Sequence, residues 1–177
     1  MLLELRIRDF AIIEELTVAW EPGLNVLTGE TGAGKSIIVD AVGALLGDRL
    51  GPEVVRAGQQ RASVEGIFSL DRHSAAAQPL RELLTSHELL EDDDQLIVAR
   101  EITRGRSVAR LNGRAVALSL LQQVGQHLVD VHGQSQHLSL LRPREHLDYL
   151  DRYAGLLDAR QRWTISPTAR RASSRPA

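Results

Sequence analysis

The chain has 177 residues, 43% apolar and 25% charged, the composition of a globular protein of one ordinary domain. Its 21 basic and 23 acidic side chains nearly cancel, so no whole-molecule field draws in a polyanion and any nucleic-acid contact needs a local patch. The absence of cysteine excludes disulfides and thiolate metal sites. With no bilayer-length apolar run and no signal peptide after Met1, the expected setting is the cytosol.

Leu3, Leu5 and Ile7 alternate with Glu4, Arg6 and Arg8, the period of a half-buried strand. A second alternation covers Glu15 to Trp20, and Glu21-Pro22-Gly23 is a turn. Leu24 to Leu27 is expected as a short strand leading into Thr28-Gly29. From Gly34 to about Leu46, Ile37, Ile38, Ala41, Val42, Leu45 and Leu46 recur at helical spacing, with Gly47 as the stop. Strands are expected at Ala62–Leu70 and Gln95–Ile102, with a helical or irregular stretch, Pro79–Leu90, between them. Ser107–Leu111 and Arg114–Leu118 flank Asn112-Gly113, a strong hairpin signal. A short helix over Leu118–Gln126 precedes a strand over His127–Val131. Pro143 opens an amphipathic helix with Leu147, Leu150, Tyr153 and Leu157 on one face. From Arg160 onward there are five arginines and no acid, a composition that predicts disorder.

Gly29-Glu30-Thr31-Gly32-Ala33-Gly34-Lys35-Ser36 matches G-x-x-x-x-G-K-[ST] at every fixed position, between an expected strand and an expected helix. Glycines let successive backbone N–H groups turn toward phosphate oxygens, and the helix adds its positive N-terminal end. Lys35 is the one lysine beside 20 arginines. A compact ammonium reaches β- and γ-phosphates where a planar guanidinium fits badly. Ser36 offers a hydroxyl to Mg²⁺. A guanine-reading Asn-Lys-x-Asp element needs a second lysine, so the expected cofactors are ATP and Mg²⁺.

Two stretches, Leu3 to Ile13 and Leu27 to Ala41, resemble the RecN family of bacterial SMC-like ATPases, and Asp130-Val131-His132-Gly133-Gln134 looks like that family's Q-loop. The similarity runs over roughly residues 1–158. It implies an α/β P-loop NTPase fold of the ABC/SMC head type: a mixed sheet, an antiparallel β subdomain and the start of a coiled-coil helix. The implied division is a head lobe over 1–142, a helix toward a coiled coil over 143–162, and a basic tail over 163–177 that is truncated or non-native. The resemblance assigns Gln134 to Mg²⁺ contact and to positioning the attacking water; residues alone favour a turn glutamine capping the strand end. The family also implies DNA break repair and recombination in the cytoplasm at the nucleoid. Its implied partners are DNA (double-stranded ends), a C-terminal head half and a second head in a homodimer.

The sequence departs from the family pattern in having no apolar run followed by Asp-Glu and no Ser-Gly-Gly signature. Nucleotide binding is therefore expected without turnover, hydrolysis requiring the C-terminal half. Such a fragment is expected to leave strand edges unpaired and apolar surface uncovered. Alternatives are a small stand-alone P-loop kinase, with Arg100 to Arg114 as its lid, and a nonenzymatic interaction fragment. The same arginines around Asn112-Gly113 read either as a phosphate grip on DNA or as a solvated face. His127, His132 and His137 have no ligand spacing.

Overall fold

The computed structural model describes residues 1–29, 34–71, 77–91 and 94–129, with 147, 150–151, 153–156 and 159–160 beyond them. By contacts the chain divides into Met1–Val129 and Asp130–Ala177.

Alternation builds the sheet. In β1 (Leu2–Phe10), Leu5 and Ile7 are buried while Arg6 and Arg8 face solvent. The next inward residue is Phe10, one position late, and Asp9 absorbs the slip by taking φ 52. Ala11 and Ile12 turn the chain into β2 (Ile13–Ala19), with Phe10 opposite Ile13. This tip is held from outside: Ala11 N donates to Val54 O at 2.7 Å, and Arg56 N donates to Asp9 O at 2.9 Å.

β3 (Arg61–Ser69), β4 (Gln95–Thr103), β5 (Ser107–Leu111) and β6 (Arg114–Val116) complete a six-stranded sheet of order β2-β1-β3-β4-β5-β6. Every described ladder is antiparallel. The expected α/β class with an antiparallel β element is what forms. The inward faces of β3 and β4 carry Ala62, Val64, Phe68, Leu96, Val98 and Ile102. On the outward face, Arg6–Glu65 (3.0 Å), Arg8–Glu15 (2.6 Å) and Arg61–Glu101 (3.2 Å) pair across strands in solvent. Such pairs contribute roughly 0–1 kcal/mol each and mainly keep that face polar.

Three helices cover the inward face. α1 (Lys35–Leu45) lies over β3 and β4; α2 (Gln78–Ser86) packs on α3 (Leu118–Leu128), which lies over β5. Two glycines permit the close fits. A Cβ at Gly66 would stand 2.6 Å from Leu45 Cδ1, and one at Gly125 would stand 2.6 Å from Leu46 O.

The Asn112-Gly113 turn forms as expected, with both residues at positive φ (47 and 75). Asn112 also ties its hairpin inward. Its Oδ1 accepts from Ile97 N at 2.8 Å, and its Nδ2 donates to Leu89 O at 3.0 Å.

Two expected strands differ. Leu24–Leu27 pairs with no described strand, and Leu24 is 91% exposed. A strand is defined by its ladder, and here Asn25 instead folds back, its Nδ2 donating to Glu21 O at 2.7 Å. Of the expected strand His127–Val131, His127 and Leu128 continue α3, Val129 is extended, and Asp130 and Val131 lie outside the described residues. In the second unit, Leu147, Leu150, Asp151 and Tyr153 are helical, a turn follows at Ala154-Gly155, and Arg160 pairs with Asp151 at 3.2 Å. The expected tail over 163–177 lies outside the described residues. No described helix is long and apolar enough to cross a membrane.

Gly125→Ala forces Cβ against the Leu46 backbone and is expected to lower the unfolding free energy by about 1–3 kcal/mol in a urea titration. Asn112→Gly keeps the turn's φ but loses both side-chain bonds, for an expected loss of about 1–3 kcal/mol.

Candidate phosphate site

The loop that matches the phosphate-binding pattern is described at its two ends, Gly29 and Gly34-Lys35-Ser36. Glu30, Thr31, Gly32 and Ala33 lie outside the described residues. Gly34 occupies the N-cap position of α1 with φ 89 and ψ 0, a conformation that disfavours any side chain. No side chain caps this helix end, and no acid stands in its first turn. Among the described residues no side chain caps the first-turn N–H groups of α1, and the helix itself supplies them no carbonyl, the arrangement that receives an anion. Lys35 is the first residue of the helix, and its Nζ reaches back to donate to Gly29 O. That bond brings the first and seventh residues of the motif together. Ser36 follows in the same turn and is exposed. These residues fit a nucleotide triphosphate: an open helix N-terminus, a cation and a hydroxyl within one turn.

The opposite end of α1 is closed. Gly47 N donates to Ala44 O (3.3 Å) and Asp48 N to Gly43 O (3.0 Å), a Schellman stop with Gly47 at φ 93. Two side chains from elsewhere add bonds to carbonyls of this stop. Arg100 on β4 is 2% exposed, and its guanidinium donates from NH1 to Ala44 O and Asp48 O, both at 3.1 Å. Its Nε donates to Ser107 Oγ on β5 at 2.6 Å. Gln122 on α3 donates from Nε2 to Gly47 O at 2.9 Å. Burial pushes Arg100 below the ordinary arginine range, and the nearby Asp48 carboxylate opposes that shift.

Arg100 is thus a correction to the reading of Arg100 to Arg114 as an arginine cluster. It points into the core, in phase with Leu96, Val98 and Ile102. That phase was visible in the sequence and marked it as inward; the density of arginines around the hairpin hid it. Arg110 donates to Gly113 O at 3.2 Å and Arg114 to Glu88 O at 2.7 Å, each stapling a turn. These three arginines lie in strands β4, β5 and β6 and not in a helical lid, so the kinase reading is not favoured. Arg104 and Arg106 remain exposed at the β4–β5 turn. Gln122 carried no sequence signal, because a glutamine on a helix face is ordinary. Gln134 lies outside the described residues.

Residues 4–157 match the AAA domain family. The chain is 50% identical over 157 residues to the DNA repair protein RecN of Halalkalibacterium halodurans, covering 88% of this chain and 27% of that protein. It is 45% identical over 156 residues to the DNA repair protein RecN of Bacillus subtilis, covering 88% and 26%. The chain spans about a quarter of the length of these curated relatives. Among solved structures, it superposes on the Smc head domain with an extended coiled coil from Pyrococcus furiosus. There the TM-score is 0.58 and the identity 20%, covering 71% of this chain and 32% of that one. The resemblance read from the sequence is borne out, and the fold is that of the SMC-type ATPase head.

The two classes of arginine separate in one experiment. Arg100→Met removes a donor from Ala44 O, from Asp48 O and from Ser107 Oγ, and is expected to lower the unfolding free energy by about 2–4 kcal/mol. Arg104→Met, at the exposed turn, is expected to change it by less than about 0.5 kcal/mol in the same urea titration.

Proposed function

The chain belongs to the AAA domain family, and from that membership we propose that it forms the nucleotide-binding part of a RecN-like ATPase head acting in DNA break repair. The family implies nucleotide, and the finer assignment is ATP with Mg²⁺. One observation carries it: Lys35 opens an uncapped helix behind a left-handed Gly34 and bonds back across the loop to Gly29.

In this reading the backbone from Gly29 through Glu30, Thr31, Gly32 and Ala33 to Gly34 wraps the phosphates, and Lys35 neutralises β- and γ-oxygens. Ser36 and Gln134 would hold Mg²⁺, which would supply positive charge to neutralise what develops on the phosphates. Gln134 would also orient the attacking water. Within the described residues no carboxylate stands in the first turn of α1 to complete the metal site or act on that water. Turnover therefore belongs to an assembly with a C-terminal half, and two such heads would engage around nucleotide. Leu24–Leu27, apolar and exposed just ahead of Gly29, supports the same reading, since it is a segment such a half could cover. DNA, including double-stranded ends, would be the complete protein's partner at the nucleoid.

Equilibrium binding of ATP with Mg²⁺ tests this, with Lys35→Ala alongside. Losing a charge-assisted contact to phosphate is expected to weaken binding about 10- to 100-fold with the melting temperature unchanged. Equal binding by the two folded proteins would overturn the assignment.

A further inference from the structure

We propose that Arg100 and Gln122 are positioning residues of the phosphate site, acting through the far end of α1 to set where Lys35 and Ser36 stand. The inference rests on the nucleotide reading of that site and adds residues to it that touch no phosphate.

The argument is one of leverage. The buried residues of α1 are Ala41, Gly43, Ala44 and Leu45, all in its C-terminal half. In its N-terminal half Ser36, Val39 and Asp40 face solvent, and Ile37 and Ile38 are only partly covered. The helix is held at one end and works at the other. Eleven residues make a rod about 16 Å long, so a tilt of about 5° at the held end carries the other through about 1.4 Å. Displacements near 1 Å are enough to degrade a site that depends on aligned charges.

What fixes that end against tilting is a three-point anchor. Arg100 ties Ala44 O and Asp48 O to β4, and through Ser107 to β5. Gln122 ties Gly47 O to α3. The anchor is tight as well as bonded, because a Cβ on Gly47 would lie 2.5 Å from Gln122 Cγ, and one on Gly125 would lie 2.6 Å from Leu46 O. The bonds come from two separate elements, β4 and α3, and fall on three carbonyls, so they constrain the direction of the helix end and not only its position. A buried guanidinium is an expensive way to fill core volume where leucine or isoleucine would serve. Its fork does what an apolar side chain cannot, satisfying two carbonyls and a hydroxyl at once.

The test uses this chain with Gln122→Leu, Arg100→Lys, Ser107→Ala and Lys35→Ala, at a temperature where each is folded. Three quantities are read: ATP affinity, the Mg²⁺ concentration for half-maximal ATP binding, and hydrogen exchange by segment. Gln122→Leu and Arg100→Lys are expected to weaken ATP binding about 10-fold and to raise the Mg²⁺ requirement. Amides of α1 should exchange faster while β3 and β4 keep wild-type protection. Ser107→Ala, which leaves both carbonyl bonds, should show the same changes at a smaller size. Wild-type affinity in Gln122→Leu and Arg100→Lys, with Lys35→Ala still impaired, would overturn the proposal and leave the nucleotide reading standing. Exchange rising equally in α1, β3 and β4 would also overturn it, since the residues would then be ordinary packing. Indistinguishable binding by wild type and Lys35→Ala would remove both.

Discussion

Everything in the head lobe is arranged around a guanidinium placed where an apolar side chain would ordinarily go. Arg100 sits among Leu96, Val98 and Ile102 on the inward face of β4 and is all but excluded from water. Desolvating that charge is costly, and the cost is offset because the site offers three oxygens at hydrogen-bond distance and a carboxylate nearby. The oxygens are not incidental. Two are carbonyls at the C-terminal stop of α1, carrying the negative end of the helix dipole, the place where a cation is most favourably put. The core residue that looks least suited to its position is therefore the one that joins sheet to helix.

This treatment makes the two ends of α1 opposites. At the C-terminal end the carbonyls of Gly43, Ala44, Gly47 and Asp48 are all used, by the backbone stop, by Arg100 or by Gln122. At the N-terminal end, among the described residues, no side chain caps the helix and no acid stands in its first turn. A helix finished at both ends would have nothing left to offer a phosphate, and one open at both ends would have no fixed direction. Closing one end with side chains from β4 and α3 gives the other its bearing. The antiparallel sheet is the frame, and α1 is the pointer it holds.

The parts legible in the sequence are those that depend on neighbours in the chain. Alternation located β1, β3 and β4, helical spacing located α1 and α3, and Asn112-Gly113 fixed its hairpin, because each signal is a property of a few consecutive residues. The phosphate motif was legible for the same reason: Gly34, Lys35 and Ser36 are adjacent and act as one turn. What escaped depends on contacts between distant segments. Arg100 had its phase in plain view, yet what decides its role is the carbonyls of Ala44 and Asp48, more than fifty positions away. Gln122 is more hidden still, since its partner Gly47 lies 75 residues off. Leu24–Leu27 failed in the opposite direction. Its composition is that of a strand, but composition supplies no ladder partner, and none is present among the described strands.

That failure says where the lobe invites company. The sheet's own edges are poor templates: β2 presents Glu14, Glu15 and Thr17 along an otherwise open edge, and β6 is only three residues long. Leu24, Val26 and Leu27 have no such protection, and all three are exposed. Val39, on the uncovered side of α1, is exposed as well. A chain arriving to bury apolar surface therefore gains little at the sheet edges and most at the segment that runs into Gly29. In the proposed head, completion of the sheet and completion of the nucleotide site are then one event. The exposed segment Leu24–Leu27 is continuous with Gly29, the first residue of the loop that would hold the phosphates, so covering the one orders the approach to the other.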